Sequence, residues 1–330
     1  MKKFNHTHQL ALLVILITVF GLVLAACQPA PEAESSDDSQ LRVTVSILPQ
    51  AYFVERIGGD LVSVNVMVSP GADAHTYEPK PDQMMALSQS VLFFSIGVEY
   101  EDSWMPKFQD ANPEMVIVDS AKGIERIIET LPHTHDEDDD RQDEDDHAFE
   151  DDDHQDDDDH QDDDDHTAGY DPHVWLSPSN GKLIAGNIYN ALAAASPGNK
   201  TVLYANYEAL IADIDDLDNR ITETLTGVAQ RNFMVYHPAW GYFAAEYGLT
   251  QLPIQVGGTD PSARELAALI DQALEENIRV IFVQPTFSAA NAQAIAREIG
   301  GEVVRVDPLA RDWLTNLEFV AEAFASAMNR

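Results

Sequence analysis

Residues 41–68 read LRVTVSILPQAYFVERIGGDLVSVNVMV, and three kinds of pattern follow one another within them. Residues 41–47 alternate and are β-rich, residues 52–57 have helical character up to Gly58-Gly59, and residues 61–68 alternate again. Strand, helix and strand in so short a span predict a unit of two parallel strands joined by a covering helix. The same order continues downstream. Helices are expected over residues 82–90 and 102–110, and strands over residues 91–96 and 115–119. A second series repeats the order, with strands at 233–236, 252–256, 280–283 and 303–306. Its helices fall at 240–247, 262–276, 289–299 and 313–328. The expected fold class is α/β, with two lobes of mostly parallel sheet covered on both faces.

Between the two series lie a helix over 179–195, stopped at Ser196-Pro197-Gly198-Asn199, and a long one over residues 201–226. The second carries Leu203, Tyr207, Leu210, Ile214, Leu217 and Ile221 at helical spacing. Its length, roughly 40 Å at 1.5 Å per residue, suits a rigid link between lobes. Open α/β sheets bind ligands beyond the carboxyl ends of their strands, so the cleft between the lobes is the expected site.

The chain has 330 residues and is 45% hydrophobic, enough for a sizeable core. Of its formal net charge of −38, about −20 comes from one run, HTHDEDDDRQDEDDHAFEDDDHQDDDDHQDDDDH at residues 133–166, which holds 21 Asp and Glu against the single Arg141. A run so acidic and so poor in apolar groups is expected to stay disordered and to attract cations. It also makes nucleic acid a poor partner. At the N-terminus, Met1-Lys2-Lys3 and an apolar stretch lead to Leu24-Ala25-Ala26-Cys27. This is a secretory signal that resembles the lipobox of bacterial lipoproteins, which implies lipidation at Cys27. Cys27 is the single cysteine, so no internal disulfide framework is expected.

Histidine placement points to the chemistry. Of 11 histidines, His6 and His8 lie at the N-terminus, and His133, His135, His147, His154, His160 and His166 lie in the acidic run. Only His75, His173 and His237 remain for the folded body, each at an expected strand-to-helix loop. If they converge, neutral imidazoles with one further ligand suit zinc.

The motifs around them carry a resemblance. Asp73-Ala74-His75-Thr76-Tyr77-Glu78-Pro79, Asp171-Pro172-His173-Val174-Trp175, Tyr236-His237-Pro238-Ala239-Trp240-Gly241-Tyr242-Phe243 and Val306-Asp307-Pro308-Leu309-Ala310 stand in this order. They resemble the metal-site motifs of the solute-binding proteins of zinc and manganese ABC transporters, the metal-binding cluster A-I family. That resemblance runs from about Leu41 to Arg330, interrupted by the acidic run, and zinc-binding members carry a His- and acid-rich loop at the same place. It implies His75, His173, His237 and Asp307 as ligands of Zn2+, with water as the other option for the fourth position. Glu78 and Gln284 are expected to support ligands, Gln284 standing where relatives often have glutamate. The six histidines of the run are expected to bind metal weakly.

The implied protein captures Zn2+ outside the cytoplasm, is anchored to a membrane through Cys27, and passes the ion to a permease with its ATPase subunit. It would be a monomer and not an enzyme. Its expected parts are a signal peptide (1–26), a lipidated tether (27–40) and an N-terminal lobe (41–131 with 168–178). A metal-collecting loop (132–167), the linking helices (179–227) and a C-terminal lobe (228–330) complete it. Mn2+ or Fe2+ as cargo is an alternative within the family. A zinc hydrolase or hydratase and a metal-stabilised surface adhesin are alternatives outside it, although neither an H-E-x-x-H helix nor a nucleophile elbow is present.

Overall fold

The computed structural model describes residues 40–128, 169–255, 259–287 and 290–329. The expectations for the signal, the tether and the acidic run fall outside these residues. From Leu41 onward the chain forms one compact unit. Among the described residues it contains two four-stranded sheets.

In the first sheet, β1 (Leu41–Val45), β2 (Val62–Val66), β3 (Leu92–Ser95) and β4 (Val116–Asp119) lie in the order β2-β1-β3-β4. Every pairing is parallel, with Val43 opposite both Val64 and Leu92. Helices α1 (Leu48–Gly58), α2 (Pro81–Leu87) and α3 (Glu99–Ala111) make the connections. Helices α4 (Pro178–Ala195) and α5 (Lys200–Leu225) follow. The second sheet repeats the first: β5 (Asn232–Val235), β6 (Thr250–Pro253), β7 (Val280–Val283) and β8 (Glu302–Arg305) lie in the order β6-β5-β7-β8, again all parallel. Helices α6 (Gly241–Tyr247), α7 (Ala263–Glu275), α8 (Ala290–Glu298) and α9 (Trp313–Met328) complete this lobe.

Two helices start earlier than their apolar spacing indicates. In α1, Pro49 occupies the first turn, where a missing N–H costs nothing, and the Gln50 carbonyl accepts from the backbone of Ser46 and Ile47. Helix α3 begins at Glu99 because Glu101 reaches back to the N–H groups of Ile96 and Gly97. Glu101 also accepts from the Ser46 hydroxyl. The Gln50 amide meanwhile donates to Phe94 O, Ser95 O and Ser120 Oγ. Between them, these two buried side chains knit together the carboxyl ends of β1, β3 and β4.

The long helix α5 has 26 residues, about 39 Å at the standard rise. Leu203, Leu210, Ile214, Leu217 and Ile221 are buried along it as their spacing predicts. It packs on α1 and α4 of the first lobe and on α9 of the second. The main core therefore runs on from one lobe to the other, including Phe53, Trp313, Phe324 and Phe282. A smaller core lies between the second sheet and helices α7 and α8, around Ile281, Ile295 and Ile299. Close approach is built into α4 at Gly181, where a Cβ would stand 2.6 Å from Cη2 of Trp313. The seam is also hydrogen-bonded, with Trp313 Nε1 donating to Trp175 O at 2.6 Å and Trp175 Nε1 to Pro308 O at 2.7 Å.

Candidate metal centre

All three histidines of the folded body sit at carboxyl ends of strands: His75 after β2, His173 after β4 and His237 after β5. Each has one nitrogen within 4.8 Å of those of the other two, the only such group of possible metal ligands among the described residues. Ring centroids are 4.8 Å apart for His75 and His237, 5.3 Å for His173 and His237, and 5.6 Å for His75 and His173. They line a cavity of about 440 Å³ together with Glu99, Asp171 and Gln255. Residues from both lobes make it.

Local chemistry fixes each ring. The Asp73 carboxylate accepts from His75 N at 2.9 Å and so turns the loop. Asp171 does more, because one oxygen accepts from both His173 N and His173 Nδ1, each at 2.8 Å, with both residues buried. Asp171 is anchored in turn by Tyr242, whose hydroxyl donates to its carbonyl at 3.1 Å. The absence of a Cβ at Gly241 leaves room for the carboxylate, which that atom would strike. His75 Nδ1 pairs with Glu99 Oε2 at 2.8 Å. Burial pushes the Glu99 carboxyl up, but the His75 partner, with a backbone hydrogen bond and His173 adding to it, holds Glu99 below its ordinary range.

With Nδ1 of His75 and of His173 turned outward to carboxylates, Nε2 of each is the nitrogen left to face inward. Carboxylate partners of this kind orient imidazole ligands and make them better donors. His75 Nε2 lies 3.0 Å from His237 Nε2. The two atoms face each other where all three rings converge. Tetrahedral bonds of roughly 2.0–2.1 Å would set two nitrogens about 3.3 Å apart, so the pair needs only a small outward shift to take an ion. His237 is packed against Phe287, the ring centroids 5.3 Å apart and nearly parallel. Burial, with the neighbouring His173 and His75 adding to it, pushes its pKa down to about 2, so the ring is neutral and able to donate a lone pair.

The other expected residues are placed differently. Asp307 does not join the cluster; its carboxylate accepts from Leu309 N at 2.9 Å and its carbonyl from Asn316. Burial raises its pKa. Glu78 is exposed, because Tyr77 beside it turns inward to Ser69, Gln83 and the Tyr100 ring. The carboxylate on His75 is thus Glu99 and not Glu78. Gln284 is buried and lines a small cavity of about 20 Å³ with Asp73, His75, His173 and Trp175, and its Nε2 has no hydrogen bond. Glu99 and Gln255 carry no motif of their own. Glu99 opens α3 just beyond β3 and Gln255 follows β6, and that position past the carboxyl end of a strand is the one signal that could have pointed to them.

With the geometry in hand, comparison with known proteins decides the family. The family model described as zinc-uptake complex component A, periplasmic, matches residues 43–327. The chain belongs to this family. Its relatives include the high-affinity zinc uptake system protein ZnuA of Bacillus subtilis (strain 168), 31% identical over 88% of this chain and 85% of that protein. The zinc-binding lipoprotein AdcA of Streptococcus pneumoniae (strain ATCC BAA-255 / R6) is 28% identical over 90% of this chain, which spans 54% of AdcA. A crystal structure of ZnuA superposes with a TM-score of 0.75 at 39% identity, covering 87% of this chain and 99% of that one. This is a family of periplasmic solute-binding components of zinc uptake, and the chain is not an enzyme. No helix among the described residues is long and apolar enough to cross a membrane.

Proposed function

We propose that this chain captures Zn2+ outside the cytoplasm on His75, His173 and His237 and hands it to an ABC permease driven by its ATPase subunit. The observation that carries the reading is the convergence of three imidazoles from loops far apart in sequence, two of them backed by carboxylates. An all-nitrogen set of three favours zinc over manganese, which prefers harder oxygen ligands. The names of ZnuA and AdcA, which specify zinc, support the same cargo. Asp307 or water fills the fourth position, and Asp307→Asn decides between them: loss of affinity assigns Asp307, and unchanged affinity assigns water.

Lipidation at Cys27 would hold the chain at the membrane, with residues 1–26 removed as a signal and 27–40 as tether. The acidic run would gather zinc weakly beside the cleft. The flanking residues support that role: Ile128 bridges Tyr170 and Asp171 N donates to Ile127 O, so the described residues on either side of that segment meet two residues from His173. Calorimetric zinc titration of the whole chain and of one lacking residues 132–167 tests both parts. The expected result is one tight site in each and additional weak sites in the whole chain alone. Absence of a tight site in the whole chain would overturn the capture reading, and equal stoichiometry would overturn the role of the run.

A further inference from the structure

His237 is held differently from the other two histidines. Glu99 backs His75 and Asp171 backs His173, whereas the polar group beside His237 is the neutral amide of Gln255. Gln255 is buried, at 6% exposure, and lines the same cavity. Its backbone N–H donates to Tyr236 O at 2.8 Å, which fixes it next to the residue preceding His237. Its amide has a defined direction. Nε2 donates at 3.2 Å to Asp260 Oδ1, an oxygen that also accepts from the Tyr236 hydroxyl at 2.5 Å. A carboxylate only accepts, so the amide must turn its NH2 group that way, and its carbonyl oxygen is left for the opposite side.

Two buried atoms, on side chains that line the same cavity and interact there, then lack a well-formed hydrogen bond, His237 Nδ1 and Gln255 Oε1. Buried polar atoms without partners are rare, and these two are complementary, since one can carry a proton and the other can only accept it. His237 Nε2 already faces His75 Nε2. Placing the ring proton on Nδ1 satisfies both buried atoms and leaves the lone pair on Nε2.

We propose that Asp260 and Gln255 form a positioning chain for His237: Asp260 fixes the direction of the Gln255 amide, and Gln255 Oε1 takes the Nδ1 proton. The ring is thereby locked in the tautomer whose Nε2 lone pair points into the cluster. Its effect on zinc rests on the capture reading above; the tautomer does not. The consequence is a division of labour. Two carboxylates balance the charge of a divalent ion through His75 and His173, and a neutral amide orients the third ligand without adding a further negative charge.

The test uses the full chain with 15N-labelled histidine. Long-range proton–nitrogen spectra of the metal-free protein should show His237 protonated at Nδ1. In Gln255→Leu that preference should be lost, and zinc Kd should rise about 10- to 100-fold, the usual cost of removing a group that orients a ligand. The paired exchange Gln255→Glu with Asp260→Asn keeps an acceptor toward His237 and a donor between the two side chains, so it should restore the tautomer. Protonation of His237 at Nε2 in the unsubstituted protein would overturn the proposal. So would a Gln255→Leu protein that keeps the Nδ1 tautomer. A chain that shows the tautomer but binds no zinc would refute capture while leaving the positioning chain standing.

Discussion

At the residue scale, the site depends on side chains that never need to touch an ion. Asp171 holds both the backbone and the ring of His173. Asp171→Asn turns an acceptor into a group that can present its NH2 to a ring donor, so zinc affinity should drop about 10- to 100-fold while the circular dichroism spectrum is unchanged. Gly241 tests the same link by shape alone. In Gly241→Ala the new methyl would press on Asp171 and stand 3.1 Å from Ile127 Cδ1, so zinc affinity should fall about 10-fold and stability by about 1–3 kcal/mol, measured by urea unfolding. His173→Ala removes a ligand outright, and a loss well beyond that of Asp171→Asn is expected. Retention of tight binding in that variant would remove His173 from the ligand set. Imidazoles bind metal only when deprotonated, so affinity should fall with falling pH. His237 contributes nothing to that fall near neutrality, because its pKa lies at about 2.

At the scale of elements, the carboxyl ends of β1 and β3 are tied by one buried acid. Burial is the main cause that raises Glu101 to about 7, against the favourable hydrogen bonds from Ser46, Gly97 and Ile96. The sign follows from linkage. The folded state binds the proton more tightly than the unfolded chain, whose glutamate titrates near 4.5. Stability from this group is therefore complete below about pH 4.5 and is lost as pH rises through about 7, on the order of 3 kcal/mol in all. Urea unfolding of the metal-free chain between pH 5 and 8 should show this decline, and Glu101→Gln should flatten it. An equal slope in both proteins would show that another group titrates. Gly181→Ala reports on the seam between α4 and α9: overpacking against Trp313 should cost about 1–3 kcal/mol.

For the molecule as a whole, the decisive feature is one core shared by two lobes. Helix α5 packs along both, and the aromatic residues Phe53, Trp313 and Phe324 join the same cluster. Lobes with separate cores would unfold separately, so a single transition by fluorescence and circular dichroism is expected here. Two resolved transitions would refute the shared core as the unit of stability. Zinc at 100 times its Kd should then stabilise the whole chain by about 2.7 kcal/mol, raising the one midpoint and not half of it. The expectation of a rigid link is met in a modified form, since α5 is a packed wall of the core and not a bare strut.

Periodicity was enough for the βα order, the long helix and the burial of Leu210, Ile214 and Leu217, because alternation and helical spacing are local consequences of which face meets the core. Histidine bookkeeping and motif order were enough for the three imidazoles, because few positions offered that chemistry. Starts of α1 and α3 were not legible, since the Gln50 and Glu101 side chains that meet the backbone ahead of those helices are held there by further bonds to groups distant in sequence. Nor were Glu99 on His75, the exposure of Glu78, the bond of Asp307 to Leu309, or Gln255 beside His237. Which polar side chain meets which ring depends on how loops from seven strand ends are aimed after two sheets have packed around one core, and no local pattern in the chain encodes that aim.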